Sequence, residues 1–168
     1  MSQFADHRLL SMALALALAS IVGAWIFELG FGYLPCKLCL LQRWPYYIGI
    51  PLGLVALALG GAYRPAGRIF LMLFILVFVG SVVIAAYHAG VEWAFWPGPS
   101  DCGGRIATSP ASVLDLRNAI KTTKVIRCDE AALRVLGLSF AGWNVVVSLA
   151  IAALATVGLR QGSSSVSQ

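Results

Sequence analysis

The residues of this chain that could carry redox chemistry are its four cysteines. Two stand three residues apart in Pro35-Cys36-Lys37-Leu38-Cys39-Leu40-Leu41-Gln42-Arg43, and the other two, Cys102 and Cys128, lie far downstream. A C-x-x-C pair serves zinc sites and redox dithiols alike. Structural zinc asks for a second close pair or for histidines at short spacing, and neither Cys102 nor Cys128 has such a neighbour. No metal is expected. Cys102 and Cys128 could form a purely structural disulfide, which at that loop length would contribute about 3–4 kcal/mol by chain entropy. A C-x-x-C disulfide closes too short a loop to staple anything, so its presence points to thiol–disulfide exchange, with one pair taking electrons and handing them to the other.

The neighbours of the cysteines refine this. Cys36 follows Pro35 and should sit near a helix N-terminus, which favours a thiolate. Cys39 and Arg43 are spaced i, i+4, so on a continuous helix they share a face. A guanidinium there would stabilise a Cys39 thiolate and hold the oxygen of a polar ligand head; equally, Arg43 reads as an interfacial anchor. From these residues alone, Cys36 and Cys39 remain rivals for the terminal electron donor. Asp129 and Glu130 follow Cys128, and their charges should raise its pKa. Cys102 is surrounded by the turn formers Pro97, Gly98, Pro99, Gly103 and Gly104, and is the expected point of attack by an incoming thiolate. Electrons gathered here need an acceptor. No flavin, haem or nicotinamide signature is present, and a lipid-soluble quinone suits a dithiol at the lip of a helix bundle. His88 could hydrogen-bond a quinone carbonyl, or be a solvated histidine at a helix end.

The elements that must position these residues are hydrophobic. The chain has 168 residues, 60% hydrophobic and 11% charged, with a mean hydropathy of +0.85. Soluble domains carry roughly 25% charged residues, so the composition is that of a membrane protein. Net charge is +5, but the basic residues form no block, which argues for contact with a lipid bilayer and against nucleic acid. Four runs are long enough to span a bilayer as helices: 9–27, 44–61, 69–87 and 140–159. The second contains Pro45 and Pro51, tolerable where neighbouring helices satisfy the freed backbone groups. Ala17-Leu18-Ala19 resembles a signal-peptidase site, but the first run is longer than a signal h-region of roughly 7–15 residues, so it is read as a helix. The expected architecture is an all-α membrane protein, a four-transmembrane-helix bundle forming one domain over 1–168, with a long periplasmic loop at 88–139 and a tail at 160–168.

Four spans place the link from Glu28 to Arg43 and the loop 88–139 on the same side, so parity gathers all four cysteines on one face. Arg8, Arg64, Arg68 and Arg160 fall on the other face, and the remaining eight of the twelve Lys and Arg fall with the cysteines. The short Arg64/Arg68 link weighs most in the positive-inside rule and favours cytoplasmic termini. Cysteines kept as disulfides also belong outside the cytosol. The cysteines are therefore expected to face the periplasm. In the long loop, Trp93, Phe95 and Trp96 read as interfacial aromatics. Ser109-Pro110 opens a short helix in which Val113, Leu116 and Ile120 align; it either lies on the headgroups or is an ordinary surface helix, because Leu114 breaks the apolar face. A further short helix is expected from Asp129 to Leu136, stopped by Gly137.

With these features together, the chain resembles the disulfide bond formation protein B (DsbB) family. The resemblance rests on four spans, Cys36-Lys37-Leu38-Cys39 followed by Arg43, His88 before the loop, Cys102 and Cys128 within it, and Gly137-Leu138-Ser139-Phe140-Ala141-Gly142-Trp143-Asn144 opening the last span. The vitamin K epoxide reductase-like family also pairs loop cysteines with a C-x-x-C in a four-helix bundle, but there the loop pair comes first. A disulfide-stapled scaffold without a redox cycle is the alternative outside enzymes. The resemblance implies a bacterial inner-membrane protein-dithiol:quinone oxidoreductase using ubiquinone or menaquinone. It implies that a DsbA-type thioredoxin-fold partner attacks a Cys102–Cys128 disulfide at Cys102, that Cys128 exchanges with Cys36, and that Cys39 reduces the quinone beside Arg43, with His88 as a further quinone-site residue.

Overall fold

Leu- and Ala-rich runs make good helices anywhere, but the β-branched stretch Val77–Ile84 would be a poor helix former in water. Inside a bilayer, every backbone N–H and C=O must be satisfied within the segment, and that constraint makes such runs helical. A computed structural model of the protein, which describes residues 2–99 and 128–164, is accordingly built of helices. Helix α1 spans Ser2–Trp25 and runs into a π-helical turn at Ile26–Gly30. A short helix α2 covers Lys37–Leu41, and α3 covers Trp44–Ala58. A 3₁₀ turn at Gly61–Tyr63 leads into α4, Pro65–Glu92. A two-stranded hairpin, β1 (Arg134–Val135) and β2 (Leu138–Ser139), precedes α5, Phe140–Ser164.

Among the described residues, three helices are long and apolar enough to cross a membrane: His7–Gly30, Pro65–Glu92 and Phe140–Gly162. They contain the expected spans 9–27, 69–87 and 140–159 and extend past them. Helix α4 starts early because Arg64 is extended (φ −110°, ψ 141°), as a residue before proline must be, and Pro65 takes the first helical position, where no N–H is needed. The fourth apolar helix, α3, is shorter. Pro45 lies in its first turn and Pro51 inside it.

The helices pack α4 on α5, α1 on α5 and α3 on α4. On α1 the buried residues Leu10, Ala13, Leu14, Ala17 and Ile21 recur at helical spacing, and they meet Leu71, Phe74 and Phe78 of α4 and Ile151, Ala152 and Ala155 of α5. Small residues bring the backbones close, as in membrane bundles generally: a Cβ on Gly49 would sit 2.6 Å from the ring of Phe78. Outside this core the surface stays apolar, with Leu18, Val22, Leu54, Ile69, Leu76, Val83 and Leu149 exposed. An exterior of that kind needs lipid as its solvent. Trp93, Phe95 and Trp96 are exposed at the end of α4, where interfacial aromatics were expected.

The expected helix from Asp129 to Leu136 is replaced by the hairpin, in which Arg134 pairs with Ser139 and Val135 with Leu138. Leu136 (φ 52°) and Gly137 (φ 84°) are both left-handed, as a two-residue hairpin turn requires. Gly137 thus supplies the positive φ expected of it, but in a hairpin instead of a helix stop. Tertiary contacts hold the strands: the Trp143 indole donates to the Val135 carbonyl at 2.9 Å, and Ser139 donates to Glu92 on α4. The short helix expected after Ser109 lies outside the described residues.

Gly67 marks a contact that cannot relax. A Cβ there would lie 2.4 Å from the Gly61 carbonyl oxygen and 2.9 Å from its nitrogen, both backbone atoms. Gly67→Val is expected to destabilise the bundle by about 1–3 kcal/mol, the usual cost of overpacking. Denaturant unfolding in detergent micelles checks this; an unchanged midpoint would show that α4 and the 3₁₀ turn are not packed as described.

Candidate functional site: a dithiol at the mouth of an aromatic cavity

Pro35 and Cys36 end the extended link from α1, and Cys36 becomes the N-cap of α2 with φ −72° and ψ 171°. Its Sγ accepts the Cys39 backbone N–H at 3.1 Å, which is how a sulfur can cap a helix. One turn on, Cys39 brings its own Sγ to 2.6 Å from that of Cys36. Both are free thiols, and closure to a disulfide would shorten the gap to about 2.05 Å. The two sulfurs and the His88 ring lie within 4.8 Å of one another, near enough to share an ion. Two thiolates on a tetrahedral zinc, however, stay about 3.7 Å apart, given Zn–S bonds of about 2.3 Å. The pair as it stands is set to bond to itself.

The environment divides the two thiols. Cys36 is lowered to about 5, chiefly by the hydrogen bond with the Cys39 thiol, with help from the His88 ring and the Cys39 amide, against the opposing effect of burial. Cys39 is raised, by the same thiol–thiol hydrogen bond seen from the other side, by burial and by the nearby Cys36 charge. The surroundings therefore favour negative charge on Cys36 and a retained proton on Cys39.

The two sulfurs share one buried cluster, with Cys39 packed against its edge, but Cys39 alone of the two also lines a cavity. Cys36 packs with Leu38, Val91 and Cys128 in one buried cluster. Cys128 is only 2% exposed and is disulfide-bonded, so in this state there is no thiol whose pKa Asp129 and Glu130 could raise. Cys102 lies outside the described residues. Cys39, by contrast, is in the wall of a cavity of about 300 Å³ enclosed by α1, the π turn, the Tyr33–Pro35 link, α3 and α5. Phe27, Tyr33 and Phe140 form its aromatic wall, with the Phe27 and Phe140 rings 4.9 Å apart.

Arg43 borders the same cavity, but not on a helix shared with Cys39. Helix α2 ends at Leu41, and Arg43 is the N-cap of α3, so the expected i, i+4 face is broken by the turn at Gln42-Arg43. The guanidinium instead pairs with Glu28 at 2.5 Å. Glu28 sits on the π turn, and π turns commonly mark functional sites because the extra residue re-aims its neighbours. His88 is not in the cavity wall. It is buried behind the dithiol, with Nε2 3.7 Å from Cys36 Sγ and 3.8 Å from a Glu92 carboxylate oxygen. Its Nδ1 is 2.6 Å from Gln42 Nε2.

Sequence reasoning did not single out Gln42, Asn144, Glu28 or Glu92. Gln42 is 7% exposed, and Asn144 donates to it from α5 at 2.6 Å. The available signal was an amide inside an apolar span and two carboxylates at span ends, each costly in lipid without a partner.

The division of the thiols has a measurable consequence. In reduced, quinone-free protein, a small alkylating reagent should modify Cys36 at a rate that stays level from pH 8 down and falls only as the pH drops through about 5, while Cys39 stays slow throughout. His88→Ala should move that fall to higher pH by removing one hydrogen bond to the thiolate. Peptide mass spectrometry reads both sites; a Cys36 profile falling near the ordinary thiol value of about 8.5 would contradict the assignment.

Comparison with known proteins agrees with this geometry. The family model described as "Disulfide bond formation protein DsbB" matches residues 6–158. The uncharacterized protein RP370 of Rickettsia prowazekii (strain Madrid E) is 24% identical over 147 residues, covering 86% of this chain and 83% of that protein. No solved structure matches the chain. Apolar spans, a C-x-x-C on the N-cap of a short helix and a family match over nearly the whole length converge: this chain belongs to the DsbB family of disulfide bond formation proteins.

Proposed function

We propose that the protein reoxidises a periplasmic DsbA-type thioredoxin-fold oxidase and passes the electrons to quinone in the bacterial inner membrane. The observation that carries this reading is the division of the C-x-x-C pair, with Cys36 packed against oxidised Cys128 and Cys39 in the cavity wall. In this reading α3 is the fourth span, and the cysteine-bearing links face the periplasm. The apolar character of α3 supports a crossing, and its contacts with α4 and α1 place it within the bundle.

The cavity suits a flat, largely apolar ring. Its volume is at the low end of the range for small-molecule sites, roughly 300–1,000 Å³, and its wall is aromatic. Arg43 has five N–H donors and uses Nη1 on Glu28, leaving others for a carbonyl oxygen. A quinone bound there takes up two electrons and two protons and leaves as hydroquinone.

The chain's own steps then balance. A thiolate of the reduced partner attacks Cys102 of a Cys102–Cys128 disulfide and frees Cys128. Cys128 attacks Cys36 of the oxidised Cys36–Cys39 pair and frees Cys39. The partner's second thiol resolves the mixed disulfide at Cys102, and Cys102 in turn displaces Cys36 from Cys128. The loop disulfide is restored, the partner leaves oxidised, and Cys36 and Cys39 hold the two electrons as a dithiol. Re-forming the Cys36–Cys39 bond delivers both electrons into the cavity through Cys39, with the one proton that Cys39 holds, and the second proton comes from water at the cavity mouth. The low pKa of Cys36 makes it the better leaving group from Cys128, which drives the return step.

Purified protein reconstituted with a reduced thioredoxin-fold oxidase and either ubiquinone or menaquinone should bleach the quinone absorbance, and Cys39→Ser should abolish the bleaching. No bleaching by the wild type, or full bleaching by Cys39→Ser, would refute the proposal. A disulfide-stapled scaffold would keep its disulfides when quinone is withheld; the relay accumulates alkylatable thiols.

A further inference from the structure

His88 is 2% exposed, so its ring must find its partners within the protein. A histidine beside a reactive cysteine usually acts as a base, accepting the thiol proton on a bare nitrogen. The hydrogen bonds around His88 point to a different role, and they can be followed from the centre of the bundle outward.

Ser81 and Ser148, both fully buried, are 3.0 Å apart. Ser148 Oγ donates to Asn144 Oδ1 at 3.4 Å, and the Tyr46 hydroxyl donates to the same oxygen. With its carbonyl taken by two hydroxyls, Asn144 turns its NH₂ to Gln42 Oε1, at 2.6 Å. Gln42 must then present its own NH₂ to His88 Nδ1, also at 2.6 Å. An NH₂ group only donates, so Nδ1 holds a lone pair, and the proton of the neutral ring sits on Nε2. That nitrogen faces Cys36 Sγ at 3.7 Å and Glu92 Oε1 at 3.8 Å.

We infer that Gln42 and Asn144, set by Tyr46 and Ser148, are positioning residues that lock His88 as the Nε2–H tautomer, so that His88 serves Cys36 as a fixed hydrogen-bond donor and not as its base. The inference deepens the proposed function, on which its catalytic consequence rests. The proton of the pair is then held between Cys36 and Cys39, 2.6 Å apart, and none is handed to the ring. Other groups face the pair. On α2, Lys37 follows Cys36 and Cys39 hydrogen-bonds it. On α4, Glu92 shares the Nε2–H, and Arg134 of the hairpin acts on Glu92. The Cys128 disulfide adds no charge. Glu92 favours a proton on Nε2, in the same sense as the amide chain.

The chain has two histidines, His7 and His88, so nitrogen-15 NMR of histidine-labelled, quinone-free protein in micelles reads the tautomer directly, with His7→Gln for assignment. At neutral pH the wild type should show a bare Nδ1 and a protonated Nε2 for His88. Asn144→Leu should give a mixture of tautomers and slow Cys36 alkylation at pH 6 about tenfold, the worth of one charge-assisted hydrogen bond. Gln42→Met, which keeps the length of the side chain, should do the same where Asn144→Leu fails to fold. A wild-type ring with its proton on Nδ1, or on both nitrogens, overturns the inference, as does a folded variant that keeps the single tautomer and the wild-type alkylation rate. None of these readouts requires turnover, so a protein inactive with quinone would refute the proposed function and leave the tautomer result standing.

Discussion

A charged sulfur at the lip of a membrane has to be held by hydrogen bonds that water does not supply. Cys36 has three: the Cys39 amide at 3.1 Å, the Cys39 thiol, and the His88 ring at 3.7 Å. The rest of the site follows from that arrangement. The amide contact exists only because Cys36 caps α2, and α2 is short because the chain must turn at Gln42-Arg43 to enter α3. The same turn sends Gln42 inward to His88 and Arg43 sideways to Glu28. One local break in the helix thus lets Gln42 reach His88 and Arg43 reach Glu28, while both side chains also border the cavity.

That arrangement gives the two sulfurs of a symmetric motif unequal chemistry. Attached to α2, they differ by one turn, yet one meets a buried disulfide cysteine and the other an aromatic cavity. An acidic Cys36 is a good leaving group in thiol exchange, and a raised Cys39 retains its proton until the electrons have somewhere to go. Neither property would survive if both thiols were exposed to water, because solvent would screen the interactions that distinguish them. The apolar bundle is therefore part of the redox device as well as its anchor.

Much of this was legible in the residues. Apolar runs long enough to span revealed three of the helices, and the C-x-x-C with Cys102 and Cys128 pointed to the exchange system proposed above. Helix ends were harder, since Pro65 and the late stop at Glu92 depend on local backbone geometry. The Cys39–Arg43 face failed because i, i+4 reasoning assumes an unbroken helix, whereas Pro45, which has no N–H for the Leu41 carbonyl and suits the first turn of a helix, marks the start of a new one. The hairpin at Gly137 failed for a related reason: a positive φ is demanded equally by a helix stop and by a two-residue turn, and tertiary contacts from Trp143 and Ser139 decided between them. Gln42 and Asn144 read as polar residues of no evident purpose until the structure joined them across 102 positions of chain.

The central claim is that Cys36, and not Cys39, exchanges with the loop cysteine, and specifically with Cys128. Disulfide mapping of the fully oxidised wild-type protein, reacted with a reduced thioredoxin-fold partner that keeps only its attacking thiol, tests it most directly. The partner is held on Cys102, the freed Cys128 attacks the Cys36–Cys39 disulfide, and after quenching with an alkylating reagent mass spectrometry should find the Cys36 peptide linked to the Cys128 peptide and Cys39 alkylated. A Cys36–Cys102 linkage, or Cys36 recovered fully alkylated while the loop disulfide is consumed, would contradict the account.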